Sequence, residues 1–339
     1  MNSVINPCSH HRSSYCKSAS LLFAMFVAAW VQIVSAQPQT KIPRIGYVSG
    51  TGNATNQGPY VEALRQGMRD FGYVEGKSFT IEYRGAEGKL DRIPSLVTEL
   101  VQLKVDALVV PIISAAYAAK QATKTIPIIV IVGDPVAAGI VDSLARPGGN
   151  ITGLATLTPE LSGKRLELFA EMVPRLSRVG VLRDADEQSK TSDEYKAAAR
   201  ALKIRLQSLE VRGLKPDIEG AFRTAVKGRA QGIITVTSGP LFLQQKKIAE
   251  LAIKNRLPSL FQGSAWVESG GLMSYSANDL DAYRRVARYI DKILKGTKPA
   301  DLPVEQPMKF EFVINLKTAK QIGLTIPQWT LMKADKVIK

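Results

Sequence analysis

The side chains able to do chemistry are unevenly spread along the chain. Both cysteines (Cys8, Cys16) and both histidines (His10, His11) fall in the first 36 of its 339 residues. Without that segment the chain cannot build a zinc site from nitrogen and sulfur ligands. It cannot use a Ser-His-Asp or Cys-His pair either. Ser114 and Ser264 then lack a histidine base, and no Ser-x-x-Lys motif supplies a lysine to either. Asp134, Asp184 and Asp186 are spaced in no cation-binding loop. Gly50-Thr51-Gly52 opens like a dinucleotide fingerprint, but Thr55 stands where the third glycine belongs. The residues predict no catalytic centre, no metal and no cofactor.

What they offer is hydrogen bonding. Ser49, Gly50, Thr51 and Asn53 open the densest polar cluster, Ser49–Gly58, suited either to a small solute or to ordinary turn chemistry. Asp134, between Gly133 and Pro135, can accept hydrogen bonds from a ligand or close the next turn as an Asx residue. Tyr275, Tyr117, Phe242 and Trp266 are aromatics able to stack on a planar solute or to fill the core.

These residues need a frame, and the hydrophobic pattern predicts one. From Pro43 short apolar runs alternate with helical patterns, as in βαβ units around a parallel sheet. Ile45–Val48, Ala107–Val110 and Ile128–Val132 read as strands. Phe79, Ile81 and Tyr83 alternate with polar residues in another. Helices are expected from about Tyr60 to Phe71, after a cap at Asp91, and after a cap at Ser114. Turn chemistry at Arg146–Asn150 marks a boundary, and a second series follows. It has strands at Val179–Leu182, Arg205–Leu209, Ile233–Val236, Ser259–Phe261 and Leu272–Tyr275, with helices that include Leu241–Ile253. Asp279 is expected to cap a long amphipathic helix, and Phe310, Phe312 and Ile314 to alternate along a late strand. Ligands bind such sheets beyond the carboxyl ends of the strands. That rule nominates Ser49–Gly58, Ile112–Ala116 and Gly133–Pro135 in the first half, and Arg183–Ser189, Thr237–Pro240 and Gln262–Ala265 in the second.

Arg12 and Lys17, the apolar run Leu21–Val31 and the short side chains of Val34-Ser35-Ala36 predict an export signal cut between Ala36 and Gln37. The run is too short to cross about 30 Å of hydrocarbon as a helix. Some 45% of residues are hydrophobic and 22% charged, which excludes a disordered or polytopic membrane chain. The net charge of +15 is dispersed, with no basic run and no aromatic interleaving, so nucleic acid is not an expected partner. The roughly 300 residues after the leader suffice for two domains.

Four stretches are distinctive: "IPIIVIVGDPVAAGIVDSLARPGGNITG" (126–153), "KRLELFAEMVP" (164–174), "GGLMSYS" (270–276) and "ILKGTKPADLPVEQPMKFEFVINLKTAKQIGLTIP" (293–327). Through them the chain resembles the substrate-binding components of bacterial ABC transporters. The resembling branch has a type I periplasmic-binding fold and includes tryptophan- and phenylalanine-binding relatives. The resemblance implies an α/β fold of two Rossmann-like lobes with parallel sheets, joined by a three-crossing hinge. It assigns residues 1–36 to the signal, 37–155 and 276–307 to lobe 1, and 156–275 and 308–339 to lobe 2. It places ligand contacts in the Ser49–Gly58 loop and at Ser114, Ala115, Ala116, Gly133, Asp134, Pro135, Thr237, Ser238, Ser264 and Asp279, with Tyr275 at the hinge. The first loop is small and polar where aromatic-amino-acid binders are expected to carry bulkier residues.

The expected function is capture of a small organic solute, such as an amino acid or aromatic compound, by a monomeric periplasmic receptor. The receptor would deliver the solute unchanged to an inner-membrane permease with its cytoplasmic ATPase. A periplasmic sensor module signalling to a membrane partner is the alternative. DNA-binding repressors of this fold are excluded, because they need a helix-turn-helix where this chain has its leader.

Overall fold

The computed structural model describes residues 41–156, 160–185 and 191–339. The leader with its Cys and His residues, and Asp186 with the end of the Arg183–Ser189 loop, lie outside the described residues. Among the described residues no helix is long and apolar enough to cross a membrane.

The first core is built on five parallel strands: β1 (Arg44–Ser49), β2 (Thr80–Gly85), β3 (Ala107–Val110), β4 (Ile128–Val132) and β5 (Ile151–Ala155). Their order is β2-β1-β3-β4-β5. Every residue of β3, β4 and β5 is buried, because helices cover both faces and leave no wet side for alternation. Helix α1 (Gly58–Asp70) lies on one face; α2 (Ile93–Gln102) and α3 (Ile113–Ala122) lie on the other. The expected caps are corrected here. Asp91 falls in a 3-10 turn, Leu90–Arg92, and Ser114 falls inside α3; neither α2 nor α3 has a side-chain cap. The turn at Arg146–Asn150 does not end the first sheet, since β5 follows it and pairs in register with β4.

The second core has seven strands in the order β12-β11-β10-β9-β8-β6-β7. They are β6 (Arg178–Asp184), β7 (Arg205–Val211), β8 (Ile233–Thr235), β9 (Ser259–Phe261), β10 (Met273–Ala277), β11 (Phe310–Asn315) and β12 (Lys336–Ile338). All pair in parallel except β10 with β11. The surrounding helices are α4 (Ser162–Met172), α5 (Thr191–Ala201), α6 (Ile218–Lys227), α7 (Gly239–Leu243), α8 (Gln245–Lys254) and α9 (Ser264–Glu268). The single helix expected over Leu241–Ile253 is thus two, broken at Gln244.

After β10 the chain returns to the first core with α10 (Asp279–Leu294), then crosses again to β11, α11 (Leu316–Ile322), α12 (Gln328–Leu331) and β12. With the passage from β5 to β6, the two cores are linked three times. Val286, Ala287 and Ile290 of α10 are fully buried in the core that α10 forms with α1 and the first sheet. Burying each of the two larger ones stabilises by about 1.5–3 kcal/mol. The seat is close: a methyl on Gly67 of α1 would collide with the Arg284 carbonyl oxygen. Asn278, not Asp279, caps α10, its side chain accepting from Asp281 N at 2.9 Å. That frees the Asp279 carboxylate, one residue on, for other partners.

Candidate functional site

The carboxyl ends of the two sheets meet. A methyl on Gly239 at the start of α7 would lie 3.0 Å from Leu90 Cδ1, and one on Gly263 would lie 3.6 Å from a carboxylate oxygen of Asp279. The first contact lies at the rim of a cleft and the second at its base.

At the rim the first core presents the nominated loops, and most of their polar groups are already engaged. Asn53 Oδ1 accepts from Thr55 N at 3.0 Å, Thr55 Oγ1 at 2.8 Å and Asn56 N at 2.9 Å. Ser49 Oγ accepts from Thr51 N, and the Tyr83 hydroxyl donates to Thr51 O at 2.8 Å. One oxygen of Asp134 accepts from Val136 N and Ala137 N, an Asx turn. Ser114 is exposed on the first turn of α3, whereas Ala115 and Ala116 turn their methyls into the core and can offer a solute only backbone. Gly133 is partly open and Pro135 is buried. Further out, a groove of about 570 Å³ runs between Thr51, Asn53 and Gly88 on one side and Leu214, Leu243 and Gln244 on the other.

The base differs. Asp279 begins α10, and its carboxyl is packed among aromatic rings while the residue keeps some surface open. The Tyr60 hydroxyl hydrogen-bonds to it. Tyr60 stacks on Tyr283 with ring centroids 4.6 Å apart. Burial, reinforced by the negative charge of Glu311, pushes the Asp279 carboxyl up to about 6; Tyr60 and Arg165 oppose that rise. The same burial drives the Tyr60 and Tyr283 phenols above their ordinary range, so both stay protonated donors.

From the second core, Arg165 on α4 faces this carboxylate. Arg165 is 1% exposed and donates from Nε to Tyr275 O on β10 at 2.6 Å. Around it sit Tyr195 of α5, Gln262 after β9 and Ser162 of α4. Gln262 Oε1 accepts from Thr237 N at 2.8 Å, which fixes the amide and turns its Nε2 toward the Tyr195 hydroxyl. Tyr195 OH, Ser162 Oγ, Gln262 Nε2 and Thr237 Oγ1 are buried without a well-aligned hydrogen bond. Buried polar atoms rarely stay so, and a cluster of them marks where a polar solute can be held. Ser238 is engaged, its Oγ accepting from Leu241 N at the start of α7, and Ser264 stays partly open at the start of α9.

Comparison with known proteins decides the family. The model of the ABC transporter substrate binding protein family matches residues 54–338. The chain belongs to that family. It is 26% identical over 259 residues to the tyrosine-binding protein of Clostridioides difficile (strain R20291), covering 76% of this chain and 74% of the relative. A crystal structure of an ABC domain in complex with L-Trp from Streptococcus pneumonia matches with a TM-score of 0.78 at 26% identity, over 87% of this chain and 99% of that one. A conserved domain protein from Vibrio cholerae matches with a TM-score of 0.77 at 27% identity, over 88% of this chain and all of that one. The family is one of substrate-binding proteins rather than enzymes, and its two-lobed type I fold is the architecture described above.

Against this geometry, the nominated aromatics divide. Trp266 is 1% exposed and stacks on Phe261 at 5.0 Å, with Phe242 edge-on, so both belong to the core. Tyr117 is exposed and donates to Ala138 O at 2.6 Å. Tyr275 stacks on Phe310 beside the cleft base, where β10 leaves the second sheet. Asp184 at the end of β6 is buried. Sequence reasoning missed Tyr60, Arg165 and Tyr195 as site residues, while Gln262 opens the nominated Gln262–Ala265 loop. A signal existed for two of them. Arg165 stands four residues before Phe169 and seven before Met172, and Tyr195 four before Ala199. Both polar side chains therefore fall on the inward stripe of a helix.

Proposed function

We infer that this chain is the exported receptor of an ABC importer. It captures an amino acid or similar small amino-bearing organic acid between residues 37–155 with 276–307 and residues 156–275 with 308–339. The solute then passes unchanged to an inner-membrane permease driven by its cytoplasmic ATPase. Cleavage between Ala36 and Gln37 would release it into the periplasm as a soluble monomer.

The observation that carries this reading is the base of the cleft. At the Asp279 carboxylate, burial and a second acid outweigh the opposing charge of Arg165, so a further cation beside it would stabilise the ionised form. A primary ammonium supplies that charge and three hydrogen-bond donors. Asp279 would take the ammonium with Tyr60, while the uncapped first turn of α3 and Ser114 would face the solute carboxylate. Ser49, Gly50, Thr51, Asn53, Gly133, Asp134 and Pro135 would wall the first lobe, with Ala115 and Ala116 contributing backbone. Thr237, Ser238, Ser264, Tyr275, Tyr195 and Gln262 would close from the second. Relatives that bind tyrosine and L-Trp support the ligand class. Contacts from both lobes exist only when the cleft is shut, so the solute stabilises the closed form and release requires opening.

Calorimetry of the purified protein against a panel of amino acids, paired with X-ray scattering, tests this. One class of amino acid should bind at one site per chain and reduce the radius of gyration. No binding with an unchanged radius, or recovery of a chemically altered solute, would overturn it.

A further inference from the structure

The two cores also touch at the mouth of the cleft, and there the contact is apolar. Leu90, in the 3-10 turn after β2, is partly buried. Its Cδ2 faces Gly50, just after β1, where a methyl would lie 3.2 Å away. Its Cδ1 faces Gly239, the first residue of α7, where a methyl would lie 3.0 Å away. The side chain is thus wedged between one glycine of each core. Leu243, the last residue of α7, reaches back from the second core. Its two δ carbons lie over Gly88, 3.7 and 3.9 Å from where a methyl would stand. Gly88 has a φ of +80°, which favours glycine, and its N–H donates to Gly50 O at 2.8 Å, so Leu243 meets bare backbone. Both leucines are held from behind. Helix α7 is capped by Ser238 and anchored by fully buried Leu241, with Phe242 edge-on to Trp266 at 6.0 Å. The chain that carries Leu90 is tied to β1 by Ala86 N donating to Ser49 O at 2.8 Å.

The three crossings between the cores gather elsewhere and are bonded to one another. Ala155 N donates to Glu305 O at 2.9 Å, and Asn278 N to Lys309 O at 3.0 Å. In the first sheet β2 is the edge opposite β5, so Leu90 follows the strand furthest from those bonds. A rotation about the crossings therefore separates the leucine contacts further than any contact at the cleft base. We propose that Leu90 and Leu243 form a clasp that biases the cleft shut, so that the residence of a solute is set in part by two side chains away from the cleft base. This rests on the reading of the chain as a receptor whose lobes open and close. Opening returns both leucines to water, which the hydrophobic effect opposes. Two partly buried side chains shift the balance between open and closed forms without locking it.

Stopped-flow release of L-tyrosine and L-tryptophan, together with X-ray scattering of the protein without added solute, tests the clasp. The Leu90→Ala/Leu243→Ala protein should release either amino acid about tenfold faster, with the association rate changed by less than about twofold. Without solute its radius of gyration should exceed that of the wild type. Leu90→Met keeps the volume and should release within about twofold of the wild-type rate. Gly239→Val fills the seat instead of emptying it, and should speed release by propping the mouth open. Release within about twofold of wild type in both the leucine double variant and Gly239→Val would overturn the clasp and leave the receptor reading standing. If neither amino acid binds, the amino-acid reading falls and scattering alone decides the clasp. A radius that the leucine double variant leaves unchanged would then overturn it, and a larger one would support it.

Discussion

The rim and the base of the cleft use polar residues in opposite ways. At the rim, Asn53 Oδ1 and one oxygen of Asp134 accept hydrogen bonds from their own turns, which leaves these loops less capacity for a solute than their residue types suggest. At the base, Tyr195, Ser162 and Gln262 are buried against one another and Arg165 without a well-aligned hydrogen bond, as is Thr237 Oγ1, and burial with Glu311 outweighs Arg165 at the Asp279 carboxyl. A residue that looks suited to binding in the sequence can be consumed by local structure. One that looks like core can carry the recognition.

Five substitutions break or sharpen this contrast. The largest effect should come from Asp279→Asn, which should weaken amino-acid binding by about 100-fold at pH 7.5, the scale of a lost charged hydrogen bond. It should also stabilise the empty protein there by up to about 2 kcal/mol, after allowance for the part of the residue open to solvent. The sign is fixed because burial raises the folded carboxyl from its ordinary 3.8 to about 6. Its contribution to stability is complete below pH 4 and is lost as pH rises through 6. Thermal melts of both proteins at pH 4.5 and 7.5 should therefore differ more at the higher pH.

Gly67→Ala tests the scaffold behind the base, forcing α10 away from α1. It should cost about 1–3 kcal/mol in urea unfolding. Arg165→Lys removes the fork that reaches Tyr275 O. It should cost about 1.5–3 kcal/mol, and the loss of affinity should exceed that of any single rim substitution. Tyr195→Phe should weaken binding about fivefold, worth about 1 kcal/mol, while stability stays within about 0.5 kcal/mol because no aligned hydrogen bond is lost. Asn53→Ala, at the rim, should change affinity less than about twofold. Should Asn53→Ala weaken binding more than Tyr195→Phe, the contrast between rim and base would be inverted.

Much of the fold was legible because its signals are strong and local. Ile128–Val132 has no polar residue and became a strand buried on both sides. The stripe of Val286, Ala287 and Ile290 became the inward face of α10. Caps were misread by one residue or more at Asp91, Ser114 and Asp279, because capping depends on where the first turn begins and several polar residues compete for it. Gln244 gave no warning of the break between α7 and α8. The loops were found by the strand-end rule, but their internal hydrogen bonds were not, since these depend on backbone geometry that the residue types leave open. Arg165 was obscured by its apolar neighbours Leu166 and Phe169, and its partner, Tyr275 O, lies 110 residues further along the chain.

A crystal structure of the protein grown with L-tyrosine at pH 7.5 examines the assignment at the cleft base most directly. The expected result is the amino acid enclosed between the two sheets, its nitrogen within about 3 Å of an Asp279 oxygen and of the Tyr60 hydroxyl. Finding the ligand in the outer groove beside Thr51 and Leu243, with Asp279 untouched, would contradict it.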